Sequence, residues 1–527
     1  MRTFKTCLMA TVAVAAFGVV EQANAQTFVY GGGATFPSKV YRQLFDCFAF
    51  PVDGNAPPVV PAGTGVNDPG QSDDGRKIAA LSINSACPSP TGNISGQDVQ
   101  ILYAPVGSGG GKRAFRNHNA SNSGSTGLGI PAAANTIPYV SQFSKNYGYP
   151  SMHFAGSDDV VLASDIGGYT GSASQPNHPQ FGYWLQIPAL AGGVAVAHNQ
   201  KDGNGNPLNL SGGTLKLSRQ ALCGIVSGHI TKWDNNILKA LNGGVAPGGG
   251  QITFVHRSDG SGTTFLFTNA LVAQCAGVFG PNNEGDATLA LYNFPFTDKT
   301  LPGSQCPAIP VQGSNQINFP DAGNNQCGVA VATPAGAAYA NGSGNAGVVA
   351  QVHAINGAIG YATPDFVDPV VAIGTNPADG LPVAGIQNQY DIDNSTGQFQ
   401  KPTFDKALIA MSGAVPLLDD TSRPNPLNWS RQMIQPNPVL KDAYPLSGFT
   451  MLNLYQCYSD VNVYNTLLQY LNFHYNNSIT KDILHTQQFS EVPTNWFDEI
   501  VKLVTPNNPV TGFNQAGNGP CAGKSGA

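Results

Sequence analysis

The stretch His256-Arg257-Ser258-Asp259-Gly260-Ser261-Gly262-Thr263-Thr264, continuing into Phe265-Leu266-Phe267-Thr268-Asn269-Ala270-Leu271, decides how the rest of the chain is read. Phe267, Leu271 and Cys275 fall four residues apart, which predicts a helix with one buried face. Ser261 or Thr263 can cap that helix, whose first-turn N–H groups have no partners within it. Those donors, the positive end of the helix dipole and the neighbouring Arg257 together make a site for an oxyanion. The β-type run Ile252-Thr253-Phe254-Val255 comes just before, so the loop joins a strand to a helix.

Working outward, the same alternation recurs. Val99-Gln100-Ile101-Leu102-Tyr103 and Val194-Ala195-Val196-Ala197 are further β-type runs, and helical patterns cover 221–229 and 461–472. Between them lie loop-like stretches at 51–74, 88–97, 117–125, 202–213, 243–250 and 302–325. Strand followed by helix, repeated, predicts an α/β fold that holds ligands at loop-to-helix junctions, and the length suits two lobes with a cleft between them.

Three other segments read as walls of that cleft. Gly31-Gly32-Gly33-Ala34-Thr35-Phe36-Pro37 lets the backbone approach a ligand, and Pro37 suits the first position of a helix through Val40, Tyr41, Leu44 and Phe45. Val106-Gly107-Ser108-Gly109-Gly110-Gly111-Lys112 is Gly-rich but not a Walker A loop. Val106 stands where the first glycine belongs, and Arg113 replaces the Ser/Thr after the lysine. His153-Phe154-Ala155-Gly156-Ser157-Asp158 puts an acid at a strand end. Taken singly, each has a plainer reading. The Gly-rich loops can be turns, Asp158 a helix cap, Arg257 and Asp259 a local ion pair, and His153 and His256 packing or hydrogen-bonding residues.

The start of the chain predicts export. Met1-Arg2-Thr3-Phe4-Lys5 is a basic leader, 7–20 is an apolar run too short to span a bilayer comfortably, and Ala23-Asn24-Ala25 is a small-x-small cleavage site. A signal peptide over 1–25 therefore leaves a mature chain beginning at Gln26, with no cysteine there to carry a lipid and no membrane insertion. Only 11% of the 527 residues are charged, while 63 Gly and 39 Pro favour turns and long loops over long surface helices. A net charge of −6 disfavours nucleic acid and acidic membranes, so an anion site here is a local arrangement. Cys47, Cys87, Cys223, Cys275, Cys306, Cys327, Cys457 and Cys521 follow the leader, an even number that fits disulfides. No Cys/His spacing of the zinc type occurs, and neither a metal nor a cofactor is expected.

The four segments, in this order, resemble the periplasmic phosphate-binding proteins of the high-affinity phosphate ABC importer. That family carries a GAGATFP-like start, a GSSGG-like loop, a GASD-like strand end and an RxDGSGT loop. The segment Leu217-Ser218-Arg219-Gln220-Ala221-Leu222-Cys223-Gly224-Ile225 to Trp233-Asp234 is similar to the family's G-x-I-x-x-W-D helix, and Gly357-Ala358-Ile359-Gly360-Tyr361 matches another element. The DING subgroup is the nearest in pattern. Thr363-Pro364-Asp365-Phe366, Gly448-Phe449-Thr450 and Gln456-Cys457-Tyr458 resemble it as well. One motif departs: Asp259 and Gly260 stand where the DING type usually has Glu and Ser, which is closer to the bacterial transporter type. The resemblance runs in blocks from Tyr30 to Cys521, apart from insertion-like stretches at 48–96 and 297–326.

The resemblance implies a two-lobed class II periplasmic-binding-protein fold. Residues 26–190 and 445–527 would form lobe one, and 191–444 lobe two, with crossings near 188–194 and 444–450. It implies phosphate held by Thr35, the Phe36 backbone N–H, Ser108, Asp158, Arg257, Ser261, the Gly262 backbone N–H and Thr263, with Asp259 holding Arg257. It implies disulfides Cys223–Cys275 and Cys457–Cys521; exclusion then leaves Cys47–Cys87 and Cys306–Cys327 for the insertions. The implied protein is not an enzyme. It is a monomeric phosphate carrier of the periplasm, or one secreted or at the cell surface, with the importer's permease as partner. The rival readings are a surface DING-like protein for adhesion or scavenging, and an exported phosphatase.

Within this reading Asp158 is intelligible. Like charges repel in a dry cleft, but phosphate keeps a proton near neutral pH and sulfate does not. Asp158 can accept that proton's hydrogen bond and meets only lone pairs on sulfate, while Arg257 supplies a planar fork.

Overall fold

The computed structural model describes residues 26–51, 83–118, 151–173, 175–275, 278–281, 289–291, 317–319, 336–367, 380–506 and 508–527. The expected leader over 1–25, the Cys306–Cys327 pair and most of both insertions lie outside the described residues.

Two sheets organise the chain. In the first, β1 (Thr27–Gly33) is flanked by parallel neighbours β2 (Val99–Ala104) and β3 (Phe154–Ser157). The sheet continues through β4 (Gly182–Gly193), β9 (Ser447–Tyr455) and β10 (Phe489–Ser490) in the order β10-β4-β9-β3-β1-β2, and a short strand at Asn177–His178 pairs with β4. The second sheet runs β7-β6-β8-β5, from β5 (Ala195–His198), β6 (Thr253–Arg257), β7 (Ala338–Gly342) and β8 (Ala358–Ala362). Here β6 is parallel to β7 and β8, and β5 is antiparallel to β8. The parallel strands β2, β3 and β6, which carry the motifs, are almost wholly buried, as strands covered on both faces must be.

Helices follow the strands that bear the motifs. The first is α1 (Ser38–Phe48) after β1, then α2 (Ser108–Arg116) after β2. After these come α3 (Arg219–Val226), α4 (Gly262–Cys275) after β6 and α5 (Gly344–Ala354) after β7. Pro37 is the residue before α1, with φ −91°, and not its first helical residue. Gly107 precedes α2 at φ +82°, a left-handed conformation that a side chain would strain. Phe267, Leu271 and Cys275 are all fully buried on α4.

The chain leaves the first sheet at Gly193 and enters the second at Ala195. It returns at Ser447. At this double crossing the Val194 N–H donates to the Leu446 carbonyl (2.7 Å), and the Tyr444 hydroxyl donates to the Val194 carbonyl (2.8 Å). Disulfides join Cys47 to Cys87, Cys223 to Cys275 and Cys457 to Cys521. The second of these ties the end of α4 to α3. The fold is thus the two-lobed, mixed α/β class II type.

Candidate anion site

Three strand-to-helix junctions meet across the two sheets. β2 turns through Gly107 into α2, which starts at Ser108; β3 ends just before Asp158; and β6 ends at Arg257, from which 258–261 leads into α4 at Gly262. The Ser108 Oγ accepts two backbone N–H groups, from Asp158 (3.2 Å) and from Gly262 (3.2 Å). With both lone pairs engaged, its remaining capacity is to donate. A Cβ added at Gly262 would lie 2.4 Å from Ser108 Oγ and 2.6 Å from Asp158 Oδ2, so only glycine lets these three groups converge.

Asp158 is 1% exposed. Its Oδ1 accepts from the Thr450 hydroxyl, and its Oδ2 has no hydrogen-bond partner among the described residues. Burial pushes the carboxyl up to about 8; the Thr450 bond pulls it down, Asp159 pushes it up, and Arg257 and Ser108 pull it down. The acceptor form on which the sulfate argument rests is therefore fully present only above neutral pH.

Arg257 is equally buried and is fixed by Asp259. Its Nε donates to Oδ1 (2.7 Å) and its Nη2 to Oδ2, while Nη1 lies 3.5 Å from the Thr263 hydroxyl. The carboxylate thus takes the Nε edge of the guanidinium, and the Nη1 side is the one turned toward Thr263. Asp259 Oδ1 also accepts the Gly344 N–H at the start of α5 (3.0 Å). Burial pushes Asp259 up, but the charge and bonds of Arg257 outweigh it and leave the carboxyl below its ordinary value. Tyr361 completes the support: its hydroxyl accepts the Arg257 N–H (3.2 Å) and pairs with Thr264 Oγ1 (2.6 Å).

Ser261 caps α4, its Oγ accepting the Thr264 N–H (3.1 Å), and its own N–H donates to the Ile317 carbonyl (2.8 Å). Thr35 is tied in less directly, through a 3.4 Å bond from Asn345 Nδ2 to its hydroxyl. Phe36 buries its ring edge-on against Phe489, which seats the backbone following Thr35. Ser108, Asp158 and Gly262 thus touch directly. Arg257, Asp259 and Thr263 form a second group beside them, and Thr35 joins through Asn345. His256 turns Nδ1 to the Arg257 carbonyl (2.9 Å) and stacks on Phe319; His153 accepts the Tyr30 N–H. Both histidines serve packing and hydrogen bonding. Lys112, in the Gly-rich loop, spends its charge on Asp159 (2.5 Å) and Asp165 (2.8 Å).

The sequence reading missed Thr450, Asn345, Tyr361 and Ile317. Gly448-Phe449-Thr450 and Gly360-Tyr361 carry a family pattern in the sequence but no local sign of a role. Among the described residues no cluster of metal-type ligands occurs, and no helix is long and apolar enough to cross a membrane.

A two-lobed α/β fold whose helix starts meet at Ser108 and Gly262 is that of a periplasmic-type binding protein. The chain belongs to the family described as PBP superfamily domain, whose model matches residues 93–478. It is 26% identical over 499 residues to "Alkaline phosphatase L" of Pseudomonas aeruginosa, covering 94% of this chain and 93% of that one. Two solved structures share the fold. A high-affinity periplasmic phosphate-binding protein (PfluDING) bound with phosphate is 23% identical, with TM-score 0.56, covering 92% of this chain and 96% of that one. An ancestral soluble variant of the human phosphate-binding protein is 22% identical, with TM-score 0.59, covering 95% and 99%. The family is one of binding proteins rather than enzymes, although that relative bears a phosphatase name.

Proposed function

We propose that this chain is an exported, high-affinity binding protein for inorganic phosphate that serves phosphate uptake and delivers its anion to the permease of an ABC importer. In this reading residues 26–190 and 445–527 form one lobe and 191–444 the other. Thr35, the Phe36 N–H, Ser108 and Asp158 come from the first lobe; Arg257, Ser261, the Gly262 N–H and Thr263 come from the second, the Gly262 N–H exchanging Ser108 Oγ for the anion. Phosphate is gripped between them, and hinge closure is coupled to binding. The protein works in the periplasm or is released beyond it. The observation that carries the reading is the buried Asp158, whose Oδ2 lacks a partner among the described residues and faces the N-terminus of α4 beside Arg257. In its ionised form an acid in that position can only accept, which suits an anion that brings its own proton, as phosphate does.

Calorimetric titration tests this. The protein is stripped of bound anion by unfolding and refolding with disulfides intact, then titrated at pH 8.5 with phosphate and with sulfate. One-to-one phosphate binding at least ~10⁴-fold tighter than sulfate is expected, as for a site built on a buried polar pairing. Equal affinity for the two anions, or none for phosphate, would refute it.

A further inference from the structure

Thr450 lies 292 residues from Asp158 in sequence and reaches it through the first sheet. Strand β9 pairs with β3 antiparallel, with Met451 opposite Ser157, so one step further brings Thr450 opposite Asp158. At the same step β9 slips against β4: Thr450 faces Leu190, but Met451 faces Pro188, which leaves Ala189 over. Such a bulge sharpens the local twist and re-aims a side chain. Thr450 is fully buried, and its hydroxyl bonds Asp158 Oδ1. Asp158 Oδ2 is the oxygen left to face Gly262 and Ser108.

We propose that Thr450 is the positioning residue for Asp158: its hydroxyl occupies one carboxylate oxygen, so that the other alone meets the anion, and this sets the discrimination between phosphate and sulfate. The inference rests on the phosphate reading above. A hydroxyl that donates to a carboxylate favours its ionised form, and here it opposes burial. The other groups acting on Asp158 are Asp159 beside it, Arg257 on β6, Ser108 on α2 and Tyr41 on α1. None of them bonds Oδ1. Without the threonine hydroxyl the carboxyl holds its proton to higher pH, and a neutral carboxyl can donate to sulfate.

The test compares wild type, Thr450→Val and Thr450→Ser by titration with phosphate and with sulfate from pH 6 to 9.5. Valine keeps the branched shape and removes the donor. In Thr450→Val the phosphate-to-sulfate ratio at pH 8.5 should fall by about 10-fold, as expected when a buried hydrogen bond to a charged group is lost. The pH above which sulfate is rejected should rise by about one unit, and serine should restore both readouts. If Thr450→Val fails to fold, Thr450→Ala carries the same expectation. An unchanged ratio and pH profile would overturn the proposal, and so would equal weakening of both anions with the wild-type pH dependence. A wild-type protein that binds phosphate no better than sulfate would instead overturn the phosphate reading, and this inference with it.

Discussion

Asp158 shows what a single residue contributes and what it costs. Its ordinary carboxyl value of 3.8 is raised to about 8, chiefly by burial. The folded protein therefore keeps a proton that the unfolded chain gives up. Stability is fully present below about pH 4 and is lost as pH rises through about 8. Asp158→Asn removes that dependence. In urea unfolding without phosphate at pH 9, the variant should be more stable than wild type by ~2 kcal/mol or more, and the two should converge near pH 4. The same substitution gives sulfate an N–H donor in place of repulsion, so sulfate affinity should rise while phosphate affinity falls. Parallel loss of both anions would remove Asp158 from selectivity. A residue that destabilises the fold, and that in the proposed reading selects the anion, is the kind of strain that binding sites retain.

At the scale of elements, the site is made by helix starts brought into contact, and Gly262 is the tightest point. Alanine there improves intrinsic helix propensity slightly, but its Cβ would overlap Ser108 Oγ and Asp158 Oδ2. Overpacking of this order costs about 1–3 kcal/mol, and it falls on the contact between the two sheets. Gly262→Ala should weaken phosphate binding by ~10–100-fold, with thermal unfolding of the ligand-free protein little changed. Wild-type affinity in this variant would mean that the junction is not where the anion sits. The junctions are also what the sequence made legible. Arg257 ends its strand, Asp158 follows one and Ser108 opens the helix after one, each beside glycines or small residues that can be read locally. Thr450 and Asn345 cannot be read that way. Each is a lone polar residue, and its partner lies 292 or 310 residues away. Strand β4 was hidden for a related reason: Gly182–Gly193 contains Pro188, which argues against an interior strand. The proline is tolerated because it sits at the register slip opposite Met451, where the ladder is already broken.

Over the whole molecule, selectivity and closure are separable. The lobes touch through the Ser108 and Gly262 pair, and they also touch at a second place. Lys39 on α1 reaches past the cleft, donates to the Asp365 carbonyl (2.9 Å) and rests over the Phe366 ring at 3.9 Å. Burial raises the Asp365 carboxyl to about 6, and the charge of Lys39 holds it from rising further. This contact involves none of the groups assigned to the anion. In the proposed reading it would bear on how readily the lobes come together and not on which anion they enclose. Lys39→Met keeps an apolar side chain of similar length and removes the ammonium, with its bond to the Asp365 carbonyl and its place over the Phe366 ring. The loss of about one net hydrogen bond, ~1 kcal/mol, predicts phosphate binding weaker by ~5-fold. The phosphate-to-sulfate ratio should stay at the wild-type value, because Asp158 and Thr450 are untouched. Small-angle scattering should show the ligand-free variant with a larger radius of gyration than wild type, and saturating phosphate should bring the two together. If Lys39→Met altered the ratio, closure and discrimination would be a single event. The lobes would then have to be regarded as part of the anion's recognition, and not only as the frame that brings its ligands together.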